Sequence, residues 1–122
     1  MKTGRKISGG RYHSSRKKKR YELPGQPRRV RLGKEKRKIM RMRGGNLKAV
    51  LLSTDIANVL DKKTNKAAKA KIKNVIETPS NMFLARQNLL MKGAIIETEQ
   101  GKARITNRPG QEGSVEAILL EE

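Results

Sequence analysis

The chain has 122 residues, enough for one domain, and carries 30 Lys and Arg against 11 Asp and Glu, a formal charge of +19. A lone domain does not need that charge, which opposes compaction by self-repulsion, so the composition calls for a polyanionic partner, and nucleic acid is the first choice. It has no cysteine, which excludes disulfides, thiol nucleophiles and cysteine-based metal sites; no apolar run approaches the ~20 residues of a membrane span, and no apolar h-region of ~7–15 residues follows the basic N-terminus.

The excess charge is unevenly spread. Residues 1–48 hold 19 Lys/Arg and 2 Asp/Glu, a net of +17, whereas residues 49–122 hold 11 and 9, a net of +2. Residues 1–35 show neither a 2-residue nor a 3.6-residue apolar period. They are rich in Gly, Pro, Ser, Lys and Arg, and Pro24, Gly25, Pro27 and Gly33 interrupt any helix that begins. Too little apolar surface is present to offset chain entropy, which predicts an extended basic arm over 1–35, ordered only on its partner. Within it the run from Arg11 to Glu22 carries six basic side chains and one acid, flanked by the two tyrosines of the chain, Tyr12 and Tyr21.

The pattern changes at Ile39. Met40 and Met42 alternate with Arg41 and Arg43, so a strand would place the methionines on one face and the arginines on the other. Gly44-Gly45-Asn46 is a turn signal. Residues 47–53 read as a second strand that 56–60 continues, 61–66 as a polar turn, and 67–76 as a third, long strand with Lys69, Lys71 and Lys73 on its wet side. Ser80 caps a helical turn over 82–87. Residues 93–107 form a hairpin turning near Gln100-Gly101, 108–113 a loop, and 114–120 a last strand. These elements predict a mainly β protein: a small β-barrel of about six strands over 36–122, with one short helical turn and a long basic N-terminal extension. With Phe83 the one aromatic besides the tyrosines, the core must be small and aliphatic, with Met40, Met42, Met82 and Met91 as filling.

Catalysis has no foothold. His13 is the one histidine, and no P-loop, dinucleotide fingerprint or nucleophile–base pair is present. Glu97, Glu99, Glu112 and Glu116 gather in the last third but read as solvated charges. The sequence predicts no enzyme, no cofactor and no metal site.

The order of motifs resembles the archaeal–eukaryotic "S-eight-e" family of small-subunit ribosomal proteins, in its shorter archaeal form. The matching features are Ser8-Gly9-Gly10-Arg11, the Lys/Arg run ending in Tyr21-Glu22-Leu23, Arg41-Met42-Arg43-Gly44-Gly45-Asn46, then Asn81, Leu84 and Arg86, the segment from Leu90 to Ile96, and that from Gly101 to Gly113. The chain departs from the family pattern at Pro24-Gly25-Gln26-Pro27, where Gly-Arg often precedes the prolines, and at Val50, where a second basic residue is common. The resemblance implies a structural protein of the cytoplasmic ribosome: a β-barrel with a basic extension, partnered by small-subunit ribosomal RNA and neighbouring ribosomal proteins, with no membrane and no small-molecule substrate. A ribosome-assembly factor and a non-specific nucleic-acid packaging protein are the alternatives.

On this reading the RNA-binding residues are Arg5, Lys6, Arg11, Tyr12, His13, Arg16, Lys17, Lys18, Lys19, Arg20, Tyr21, Arg28, Arg29, Arg31, Lys34, Arg37, Lys38, Arg41, Arg43 and Lys48. The cations release condensed counterions from phosphates, and arginine adds bidentate hydrogen bonds. Tyr12 and Tyr21 either stack on unpaired bases or pack against the barrel.

Overall fold

The computed structural model describes residues 4–13 and 15–120, with nine strands, two short helices and two 3-10 turns among them. The strands are β1 (Val30–Leu32), β2 (Lys36–Arg41), β3 (Leu47–Thr54), β4 (Ile56–Asp61), β5 (Lys66–Glu77), β6 (Leu89–Leu90), β7 (Ile95–Thr98), β8 (Gly101–Ile105) and β9 (Glu116–Leu119). The helices are α1 (Met82–Arg86) and α2 (Pro109–Glu112).

The barrel is smaller than the expected six strands. It closes with five, in the order β4-β5-β7-β8-β9, sealed by the parallel pairing of β9 with β4 at Asn58↔Glu116 and Leu60↔Ile118. A second sheet, ordered β2-β3-β1-β6, takes the remaining four. A five-stranded barrel leaves little interior room, and small side chains suit it. Ala57, Ala70, Ala94, Ala103 and Ala117 are buried with Val59, Ile72, Val75, Ile96 and Ile105. Val30, Leu51 and Leu90 of the second sheet join the same cluster, so one aliphatic core serves both sheets.

Local chemistry explains several boundaries. In β5, Ala70 and Ile72 are buried while Lys69, Lys71 and Lys73 are exposed, the alternation of a strand with one wet face. Between β4 and β5 the Asp61 carboxylate accepts from the Lys63 N–H at 2.9 Å and from Thr64 Oγ1 at 2.9 Å, first the backbone bond and then the hydroxyl holding its pKa below the ordinary aspartate value. The β7–β8 hairpin closes at Thr98↔Gly101. Its buried Thr98 hydroxyl donates to the Gly101 carbonyl at 2.7 Å and accepts from the Gln100 N–H at 3.3 Å.

Four expectations are corrected. The extended arm does not run to residue 35: β1 lies inside the second sheet, parallel to β3 at Arg31↔Ser53 and antiparallel to β6 at Val30↔Leu90, with Val30 buried. Burying a valine is worth roughly 1.5–3 kcal/mol, less than the ~1–2 kcal/mol per residue of ordering three residues, so the ladders to β3 and β6 on both sides are needed as well to hold a strand whose pattern is too short to read. The cap of α1 is Asn81 rather than Ser80; its Oδ1 accepts from the Phe83 N–H at 3.0 Å. The methionines are poorer core than expected: Met40 and Met91 are half-buried, while Met42 and Met82 are exposed. Residues 108–113 include the helix α2, started by Pro109 at its first turn, instead of a plain loop.

The end of α2 locks the two sheets together. Gly113 adopts φ 75°, and a Cβ there would lie 3.3 Å from both Cβ and O of Ala49 on β3. The left-handed conformation alone costs other residues roughly 1–2 kcal/mol. Gly113→Ala is therefore expected to lower unfolding free energy in urea by about 2 kcal/mol, against a change within about 0.5 kcal/mol for Gly25→Ala, where a Cβ meets open space.

Candidate nucleic-acid interface

Among the described residues, the cations of the first 48 fall into three groups. The first is a small turn. Arg5 bridges Arg11 in antiparallel fashion, the Lys6 N–H donates to the Gly10 carbonyl at 2.8 Å, and the Gly9 N–H donates to the Lys6 carbonyl at 2.9 Å. Lys6 Nζ stands 5.6 Å from the centre of the Tyr12 ring. This brings Arg5, Lys6, Arg11 and Tyr12 together, with His13 exposed just beyond.

The second group is built on Glu22. Its carboxylate accepts from Arg16 at 2.6 and 2.9 Å and from the Lys19 N–H at 2.9 Å, closing the 3-10 turn Arg20–Glu22. Lys17, Lys18, Lys19, Arg20 and Tyr21 are exposed around it. Residues 4–13 and 15–27 are exposed throughout, and the turns just described are local. The reading in which the tyrosines pack against the barrel is not what the structure has: Tyr12 and Tyr21 are 53% and 65% exposed.

The third group lies on the second sheet. Arg28 is half-buried beside α2, where its carbonyl would sit 3.0 Å from a Cβ on Gly110. Arg29, Arg31 and Lys34 are exposed along and after β1. On β2 come Lys36, Arg37, Lys38 and Arg41, all exposed, and β2 is one of the two edge strands of its sheet, with β6 at the other. A cationic edge resists pairing with another strand and presents its charges outward.

Expected alternation holds in part there. Met40 pairs with Lys48, and both are half-buried, whereas Arg41 pairs with Leu47, and both are exposed. Beyond Arg41 the strand ends, so Met42 and Arg43 do not continue the pleat. The loop closes by the Met42 N–H donating to the Asn46 carbonyl at 2.7 Å, with Gly44 at φ 82° and Gly45 at φ 84°, conformations only glycine adopts freely. A Cβ on Gly45 would lie 3.9 Å from Arg41 Nη2, so the turn gathers Arg41 and Arg43 at one tip.

Lys48 does not stand free on this face. It donates to the Gln111 side-chain oxygen of α2. Val50, where a second cation was the family expectation, is fully buried. Sequence reading also missed the apolar neighbours of these arginines. Ile39 and Leu47 are 70% and 74% exposed, and the register Ile39↔Ala49, Arg41↔Leu47 puts them on the face of Arg41. Only the strand register, a tertiary property, reveals that grouping.

Neither acid of this segment balances the rest. Glu22 is taken by Arg16, and Glu35 by Arg37 at 2.6 Å. Among the described residues no group of three or more His, Asp and Glu is placed to hold a metal ion, and no helix is long and apolar enough to cross a membrane.

Fold and charge thus define a small, strongly basic β protein with an outlying cationic segment. The chain belongs to the family described as Ribosomal protein S8e, whose profile matches residues 1–120. It is similar to the small ribosomal subunit protein eS8 of Methanocorpusculum labreanum, 49% identical over 120 residues, 98% of this chain and 96% of the relative. It is 47% identical to the protein of the same name from Methanococcus aeolicus over 119 residues, 97% and 93% of the two chains. With that of Methanospirillum hungatei JF-1 it shares 46% over 117 residues, 96% and 94%. These relatives bear the names of ribosomal small-subunit proteins, not of enzymes.

The Glu22 turn has a pH signature. Arg16 first, and the Lys19 N–H second, hold the Glu22 pKa below its ordinary value. A group depressed in the ordered state favours that state above the free pKa of ~4.3 and ceases to as pH falls through the depressed value. In an NMR titration Glu22 is expected to protonate below the range of a free glutamate, and Arg16→Ala to return it upward. Titration of wild-type Glu22 at the free value would mean the ion pair does not form in solution.

Proposed function

We propose that this protein is a structural constituent of the small ribosomal subunit in the cytoplasm, binding small-subunit ribosomal RNA through the basic arm and through the edge of the second sheet. The observation that carries this is the net +17 of residues 1–48, held largely on exposed side chains whose two acids are already engaged within the same segment. Family membership over nearly the whole chain supports the small-subunit assignment.

The arm, taken now as residues 1–27, has too little apolar surface to fold on and becomes ordered along RNA phosphates. Beyond its two local turns, its ordering entropy is lost only there, and the release of counterions supplies the opposing gain. The β2 edge and the Arg41–Arg43 tip form a second, rigid contact. Arg5, Lys6, Arg11 and the run from Arg16 to Arg20 neutralise phosphates, and Tyr12 and Tyr21 stack on unpaired bases. Rigid body and ordered arm together tie separate RNA segments, beside neighbouring ribosomal proteins.

Deleting residues 1–27 removes nine Lys and Arg without touching β1. The truncated protein is expected to keep its melting temperature while the dependence of log K on log salt becomes shallower, by about 0.9 for each phosphate no longer neutralised. Arg41→Ala with Arg43→Ala should weaken binding about tenfold with stability unchanged. Equal affinity for small-subunit RNA, random RNA and duplex DNA at matched salt would support the packaging reading instead, and absence from mature subunits the assembly-factor reading.

A further inference from the structure

The run from Arg16 to Arg20 is five cations without a break, and Glu22 is the one acid of residues 1–27. On charge alone, Glu22 weakens any contact with a polyanion. Its geometry gives it a different part. Six positions separate it from Arg16, yet its two carboxylate oxygens accept from Nη2 and Nη1 of that guanidinium at 2.6 and 2.9 Å. It also holds Lys19 from both sides. Its Oε2 accepts from the Lys19 N–H at 2.9 Å, and its own N–H donates to the Lys19 carbonyl at 2.9 Å. The Glu22 side chain is left 30% exposed and that of Arg16 61% exposed, so the acid is screened while the cation still faces outward.

Five adjacent cations repel one another and spread the free chain over many extended shapes. The planar Arg16 fork meets the carboxylate with two parallel bonds, which selects a closed loop over those shapes. Lys17 and Lys18 lie inside that loop, Lys19 and Arg20 on its closing turn, and all four are exposed. Apparent affinity is reduced by the fraction of free molecules already in the binding shape, so a contact that enlarges the fraction tightens binding. We propose that Glu22 is a positioning residue for RNA: clasped to Arg16 and Lys19, it gathers Lys17, Lys18, Lys19 and Arg20 into one compact set of cations for neighbouring phosphates. Arg16 serves twice, because Glu22 takes two of its five N–H groups and the outward ones remain for phosphate. This inference rests on the RNA-binding reading and adds that the shape of the run, beyond its charge, sets the affinity.

The test uses the full-length protein and small-subunit ribosomal RNA transcribed from the same genome. Neither side chain belongs to the aliphatic core, so Glu22→Gln, Arg16→Lys and the double variant are expected to melt as wild type. Glu22→Gln raises the formal charge by one, so charge alone would tighten binding. The clasp requires the opposite: affinity about fivefold lower, with a shallower salt slope. Arg16→Lys keeps the charge but loses the fork, and should weaken binding about threefold. The double variant should bind no more weakly than Glu22→Gln, since both changes remove the same contact. If Glu22→Gln binds as tightly as wild type or tighter, the positioning role is wrong and the RNA-binding reading stands. Additive losses in the double variant would mean that the two residues act independently, which also overturns the clasp. Wild-type affinity for Arg16→Lys would do the same. If wild type shows no salt-dependent affinity for the RNA, both readings fall together.

Discussion

Charge that the chain cannot neutralise by itself is the constraint on which the rest of the molecule turns. A net of +17 over 48 residues repels itself, and the only two acids there are engaged by Arg16 and Arg37. Folding such a segment onto a body with a net of +2 would crowd cations without supplying anions. Only part of that charge stands off the body: the described residues up to 27 lie exposed, while residues 28–48, with a net of +9, join the second sheet and turn most of their cations outward. The same repulsion becomes favourable free energy once a polyanion is present, because each phosphate contact releases condensed counterions.

The join between the two parts is short and apolar. Arg28 rests beside α2, and Val30 then enters the aliphatic core between β3 and β6. That anchor fixes where the arm leaves the body, in the sheet whose edge strand β2 carries Lys36, Arg37, Lys38 and Arg41. Arm and edge thus belong to the same sheet, with β3 between the strand that follows the arm and the edge strand β2. The left-handed glycines at 44 and 45 finish it by turning the chain tightly enough to bring Arg41 and Arg43 to the same tip.

Much of this was legible in residue order. The alternation through Lys69, Ala70, Lys71 and Ile72, the polar turn at Asp61 and the hairpin at Thr98 and Gly101 all rest on local rules, and the structure has them. Local rules do not say which strands share a sheet. The division into a five-stranded barrel and a four-stranded sheet depends on pairings such as Arg31↔Ser53 and Val59↔Ala117, distant in sequence. For the same reason β1 was invisible: three residues show no period, and a parallel partner over twenty residues away makes them a strand. Ser80 and Asn81 are both good caps one residue apart, and only the hydrogen bond to Phe83 decides between them. In the candidate site, composition located the cations, but the half-buried position of Lys48 and the exposed Ile39 and Leu47 depend on register.

Hydrogen–deuterium exchange on the full-length protein, alone and bound to small-subunit ribosomal RNA, reaches the central claim most directly. Residues 4–27 are expected to exchange fast in the free protein and to be strongly protected in the complex, with little change within the barrel strands. Protection of that segment in the free protein, or continued fast exchange on the RNA, would contradict a basic arm that, beyond its two local turns, orders only on its polyanion.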